Sequence, residues 1–207
     1  FLYCRYADDF VVLCNGTRAQ ALEMKEELKG VLEHMGLKLS EEKTKVTHIT
    51  EGFDFLGYRI IRGMGWSGKM APKVKIPRKA IKRFQDKIHG ILAPNRTHES
   101  VNAKILVLNG LIRGWCEYYR ITSGPSQVFG KLAHEIFEEM GSWLAKKYDT
   151  SKPTIMQKFA KENPCVTFGT QSRRLVMPGE YKNKKLLVRT WHNPYTENEK
   201  VKEEKDR

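Results

Sequence analysis

The 207 residues read as an α+β protein: an antiparallel hairpin sheet with one helix, then a three-helix bundle, then a small basic tail. Three observations carry that reading. β-branched and aromatic residues flank an Asp8-Asp9 pair near the start, the mark of two strands meeting at a tip. Between residues 78 and 147, apolar residues recur at three- and four-residue steps in three successive segments, the period of amphipathic helices. Charge is one-sided as well. Residues 1–72 balance ten Lys/Arg against ten Asp/Glu, residues 73–150 hold fourteen against seven, and residues 151–207 hold thirteen against seven. A neutral first part followed by a basic remainder suits a reaction module joined to a module that holds a polyanion.

The hairpin runs through Tyr6 into Phe10-Val-Val-Leu13, with Ala7-Asp8-Asp9 at its tip. Asn15-Gly16 turns the chain, and Thr17 with Gln20 has the spacing of a capping box. Ala21, Met24, Leu28, Val31, Leu32 and Met35 then form the stripe of a helix from about 18 to 35, closed by Gly36 and expected to pack on the hairpin sheet. Val46–Ile49 reads as a strand, as does 53–61, where Gly57 permits a close backbone approach. Gly63, Gly65 and Gly68 mark a hairpin or linker around Trp66, and Pro72 and Pro77 flank a basic linker.

A helix over about 78–92 puts Ile81, Phe84, Ile88 and Ile91 on one face, with Lys79, Lys82, Arg83 and Lys87 off it. A second, about 99–121, carries the seam Val101, Ile105, Leu108, Ile112, Trp115 and Tyr119, with Asn102, Asn109, Arg113 and Arg120 opposite. A third, about 126–147, buries Phe129, Leu132, Ile136, Met140, Trp143 and Leu144. Short connections make these a bundle whose aromatic stripe is core rather than a base-stacking platform. In the tail, Thr154–Lys161 reads as a short helix, and 166–168, 173–177 and 185–189 as strands. Disorder is expected beyond Trp191. The division is therefore 1–72, 73–150 and 151–207.

Composition narrows the class further. Hydrophobic content of 40% and charge of 29% fit a soluble globular chain. No apolar run reaches membrane length, and no signal peptide is expected at Phe1. Cys4, Cys14, Cys116 and Cys165 are scattered without a CxxC pair, which argues against a zinc ribbon or a disulfide framework and points to a cytoplasmic setting. The chain opens on Phe1 inside a strand, so it is expected to be the C-terminal part of something longer.

Two bare carboxylates at one tip repel each other, and a divalent cation is the usual compensator, since Mg²⁺ takes Asp oxygens and leaves positions for water and phosphate. A solvated Asp-Asp turn is the alternative.

Four ordered motifs bear on that choice. Arg5-Tyr6-Ala7-Asp8-Asp9-Phe10 resembles the YADD box of reverse transcriptases in the form carried by group II introns. Gly36-Leu-Lys-Leu-Ser-Glu-Glu-Lys43-Thr44-Lys45 resembles that family's next motif. Phe55-Leu56-Gly57-Tyr58 resembles its primer grip, and 110–120, with Arg113, Trp115, Tyr118, Tyr119 and Arg120, resembles the signature helix of the maturase or thumb domain. The resemblance covers residues 1 to about 170. It implies the end of a polymerase palm followed by a thumb. Asp8 and Asp9 then match carboxylates that hold a catalytic Mg²⁺ pair (Mn²⁺ as a substitute) for two-metal nucleotidyl transfer, with Asp8 the direct ligand. It also implies that Tyr6 and Ala7 line the active site, that Lys43 lies near the triphosphate, and that Gly57 and Tyr58 hold the primer. Lys79, Lys82, Arg83, Arg113 and Arg120 would grip RNA mainly through phosphates.

Implied partners are group II intron RNA, RNA/DNA template–primer and deoxynucleoside triphosphates. The family's third metal-binding aspartate and its fingers are not among these residues, so an N-terminal fingers/palm segment is a further expected partner, and the isolated chain is expected not to polymerise. An endonuclease module is not evident, His192-Asn193 being only an echo of one. Two other classes stay open: a splicing maturase that binds RNA without copying it, and a reverse transcriptase of CRISPR or phage-defence type.

Overall fold

The structure, a computed structural model, describes residues 1–65, 68–93, 95, 97–161 and 165–184. Trp66, the strand expected at 185–189, the disorder expected beyond Trp191 and the His192-Asn193 echo lie outside the described residues.

Strands β1 (Leu2–Tyr6) and β2 (Asp9–Leu13) pair antiparallel with Tyr6 opposite Asp9, so Ala7-Asp8 is a two-residue turn. Ala7 takes φ 51°, the left-handed value that such a turn demands. Helix α1 (Arg18–His34) starts on the Thr17–Gln20 capping box and ends at Gly36 (φ 73°), where Leu37 N–H donates to Leu32 O and Gly36 N–H to Glu33 O, a Schellman stop. Its stripe does not pack as expected. No α1 residue is buried, and Val31 and Met35 stay 56% and 68% exposed. A ribbon of two strands is too narrow a face to cover a helix. β1 is itself bare, with Phe1 72% and Leu2 71% exposed.

Two further expectations need correction. Val46–Ile49 forms no strand: turns at 40–44 and 48–52 hem it in, and a single bond, Arg62 N–H to Ile49 O, ties it to the sheet. The strand expected over 53–61 is instead a hairpin, β3 (Phe53–Phe55) and β4 (Tyr58–Met64), turned at Leu56 (φ 47°) and Gly57 (φ 75°). The supposed linker after it is strand β5 (Met70–Lys75), paired along β4. Pro72 is tolerated there because β5 is an edge strand and needs no N–H at that position.

The bundle follows the sequence periodicity closely: α2 (Arg78–Ile91), α3 (Val101–Tyr119) and α4 (Pro125–Lys147). One continuous core contains Phe84, Ile105, Leu108, Ile112, Phe129, Met140 and Leu144, which bears out the reading of the aromatic stripe as core. The tail belongs to the same core. Helix α5 (Lys152–Phe159) buries Ile155, and β7 (Thr167–Phe168), paired with β6 (Ala160–Lys161), stacks Phe168 on Phe137 at 4.6 Å.

Residues 173–177, expected as a strand, make one bridge only, Gly169 with Arg174. Asn109 replaces the missing partner strand: its amide donates to Arg174 O (2.9 Å) and accepts from Val176 N–H (2.7 Å). Among the described residues no helix is long and apolar enough to cross a membrane.

Candidate functional site

The β1–β2 turn places Asp8 and Asp9 in the open. Both are exposed, and among the described residues neither carboxylate has a hydrogen-bond or ion-pair partner. Arg5 is close but spends its Nε on Ala7 O (2.7 Å), bracing the turn rather than neutralising it. Two hard oxygen donors without a competing cation suit part of a divalent-metal site. A complete site would need further ligands, because no cluster of three His, Cys, Asp or Glu occurs among the described residues. Tyr6 is 66% exposed beside them. Lys43 sits in the exposed turn at 40–44, and among the described residues no hydrogen bond or ion pair joins it to the carboxylates.

Gly57 and Tyr58 are held by α3. Tyr118 donates to Leu56 O (2.6 Å), Tyr119 donates to Gly57 O (3.2 Å), and Tyr58 returns a bond to Tyr118 O (2.8 Å). Tyr58 and Tyr118 also stack at 4.9 Å. Burial and the neighbouring tyrosines raise the Tyr58 phenol well above its ordinary range, so it remains a hydrogen-bond donor. Ser123 completes the seam: its N–H donates to Val74 O (2.6 Å) and its hydroxyl accepts from Val74 N–H.

The basic residues divide into paired and free. Lys79 binds Asp54 (2.8 Å), and with Arg59 holds that carboxyl below the usual range. Lys82 pairs with Asp86 (2.8 Å) one turn along, and Arg83 Nε reaches Lys79 O. Arg120 pairs with Glu117 (2.8 Å) and donates to Lys182 O. Arg113 is exposed, with no hydrogen-bond or ion-pair partner among the described residues.

Arg113 and Arg120 come together at a cavity of about 340 Å³, together with three residues the sequence reading did not single out: Arg174, Glu180 and Tyr181. No periodicity links a tail residue to α3, so nothing in the pattern could have paired them. Arg174 chelates Glu180 through both guanidinium nitrogens, and Met177 N–H also donates to Glu180 (2.6 Å). Burial pushes the Glu180 carboxyl up, but Arg174 and Met177 outweigh it and leave it below the usual range. A depressed carboxyl contributes stability above its unfolded pKa of about 4.3, and that contribution is lost as pH falls through the lower folded value. Acidification below about pH 4.3 is therefore expected to loosen the tail, and Glu180→Gln to remove that share of the acid sensitivity. Denaturant midpoints measured against pH for both chains check this, and identical acid profiles would contradict it.

Comparison with known proteins fits this arrangement. The family described as reverse transcriptase (RNA-dependent DNA polymerase) matches residues 1–60, and the group II intron, maturase-specific domain matches residues 81–161. Protein YkfC of Escherichia coli K12 is 43% identical over 91 residues, 44% of this chain and 24% of its own. The group II intron-encoded protein LtrA of Lactococcus lactis subsp. cremoris is 31% identical over 150 residues, covering 61% of this chain and 25% of its own. A putative COX1/OXI3 intron 2 protein of Saccharomyces cerevisiae is 24% identical over 195 residues, covering 77% and 22%. The chain spans about a quarter of the length of these relatives.

Proposed function

We propose, from the premise that this chain belongs to the group II intron reverse-transcriptase/maturase family, that it is the palm-end and thumb segment of an RNA-directed DNA polymerase that also binds intron RNA to assist splicing and retrohoming. The observation that carries this is the order along one chain. An unpartnered carboxylate pair at a hairpin tip lies within the reverse-transcriptase match, and a basic helical bundle lies within the maturase match.

In this reading Asp8 supplies a metal-ligand oxygen, Asp9 supports it, and Tyr6 and Ala7 line the primer end. Bound Mg²⁺, or Mn²⁺ in its place, supplies positive charge to the attacking and leaving oxygens. Lys43 sits near the triphosphate and offsets the charge of departing pyrophosphate. Gly57 and Tyr58 hold the primer backbone, while Lys79, Lys82, Arg83, Arg113 and Arg120 meet phosphates. Four free cysteines suit the reducing cytoplasm in which such an RNA is made.

Because the match to the relatives is partial, polymerisation is assigned to this chain together with a fingers/palm segment supplied in trans or in the longer protein. That combination is expected to give Mg²⁺-dependent primer extension with deoxynucleoside triphosphates, whereas the 207 residues alone are expected to give none. A reconstituted protein that binds RNA but never extends a primer would leave the pure splicing maturase as the correct reading.

RNA affinity of the chain itself is expected to fall steeply between about 50 and 200 mM salt, since each phosphate contact releases counterions. Filter binding across that range measures it, and weak, salt-insensitive binding would contradict the RNA-holding role.

A further inference from the structure

We propose that the cavity between α3 and the tail receives one unpaired nucleotide of the bound RNA, its base against Tyr181 and its phosphate on Arg113. The inference rests on the RNA-binding reading above and adds to the motif residues Arg113 and Arg120 a tail wall, Arg174, Glu180 and Tyr181, that the sequence motifs do not mark.

Four observations carry it. The cavity, about 340 Å³, falls in the range of small-molecule sites and greatly exceeds the needs of one phosphate. Its walls are of mixed charge. Glu117 and Glu180 stand among Arg113, Arg120 and Arg174, and a groove that only tracked a phosphate backbone would not place carboxylates there. Those carboxylates are neutralised within the protein, Glu117 by Arg120 at 2.8 Å and Glu180 by Arg174 at 2.9 Å. Among the described residues of the wall, Arg113 is thus the cation without a carboxylate partner. Finally, the Arg113 guanidinium and the Tyr181 hydroxyl have no hydrogen-bond partner among the described residues.

A half-buried aromatic ring, a free guanidinium and an exposed carboxylate with a spare oxygen match the three parts of a nucleotide. The ring meets the π-face of a base, the guanidinium a phosphate, and Glu117 an exocyclic amino group. A base inside a duplex cannot reach such a wall, so the ligand is single-stranded RNA.

Fluorescence anisotropy of the 207-residue chain tests this with labelled oligoadenylate of about eight nucleotides, a base-free ribose-phosphate oligomer of equal length, and a duplex. Tyr181→Ala is expected to weaken oligoadenylate binding about tenfold while leaving the duplex and the base-free oligomer unchanged. Tyr181→Phe, which keeps the ring, should retain most of the affinity and separates stacking from misfolding. Arg113→Gln should lower the salt slope for oligoadenylate by about one.

Equal effects of Tyr181→Ala on all three ligands, or no effect on any, overturn the proposal while the RNA-binding reading stands. Absence of salt-dependent binding by the unaltered chain overturns both.

Discussion

Asp8→Ala is expected to abolish Mg²⁺-dependent primer extension by the reconstituted protein, with a loss on the order of 10³-fold or more, and to leave RNA affinity unchanged. The size follows from where the side chain sits. Asp8 is exposed at a two-residue turn with no partner in the fold, so its removal opens no cavity and breaks no internal bond. Stability should stay within about 0.5 kcal/mol of the parent, a value that excludes unfolding as the cause of lost activity.

Asp8→Asn keeps the shape and removes the charge, so it should fail as Asp8→Ala does if the carboxylate acts as a ligand. Asp9→Ala should lose less, since Asp9 opens β2 and is assigned a supporting role. Continued extension by Asp8→Ala at near-parental rate would remove Asp8 from the chemistry and leave the solvated turn as the correct account of the pair. RNA affinity measured on the same preparations separates a dead catalyst from a protein that has lost its template.

How far the sequence could be read depended on how local the signal was. The three bundle helices were legible within about two residues because their apolar period is intrinsic to each segment, and α1 because its capping box and Gly36 lie within one turn of its ends. The sheet was less legible. Leu56-Gly57 was hidden inside an apolar run because a left-handed leucine leaves no compositional mark, and two strands joined by two residues read as one.

The tail was harder still. Its last described stretch is held by side chains of α3, with Asn109 in place of a strand, and periodicity cannot announce a side chain that substitutes for a ladder. Lys104 shows the same limit. It lies on the buried seam of α3, only 2% exposed, bonded to Glu99 at 3.1 Å and set 5.6 Å from the Trp143 ring. A lysine in that register reads as solvent-facing until its partners are known. At the site itself, the carboxylate pair and the Phe55–Tyr58 stretch were legible as motifs, but the turn within that stretch was not. Nor was the grip of α3 on that turn, since it is made between residues some sixty positions apart.

That grip gives the second large effect. Gly57→Ala is expected to cost about 2–3 kcal/mol, read as a fall in Tm of roughly 5–10 °C for a chain of this size. Two terms add. A side chain at φ 75° carries the left-handed penalty of about 1–2 kcal/mol. Its Cβ would also lie 3.1 Å from the Tyr118 hydroxyl, which must give by a few tenths of an ångström and so weakens its bond to Leu56 O, at a cost of up to about 1 kcal/mol.

The second term identifies the mechanism. Tyr118→Phe removes both the obstructing oxygen and the bond, so the double variant should be less destabilised than the sum of the singles by about 1 kcal/mol. Strict additivity would show that backbone strain acts alone and that the tyrosine is a bystander.

Under the proposed function the turn also bears on primer binding. Its two carbonyls are taken by Tyr118 and Tyr119, while among the described residues no backbone hydrogen bond uses the N–H groups of Leu56 and Gly57. Those N–H groups are what the turn can offer a primer phosphate, and their aim is set by α3 through the two tyrosines. In the reconstituted enzyme Gly57→Ala should therefore raise the KM for primer–template more than it lowers kcat. An unchanged KM beside the expected loss of stability would reduce the turn to a structural joint between sheet and bundle.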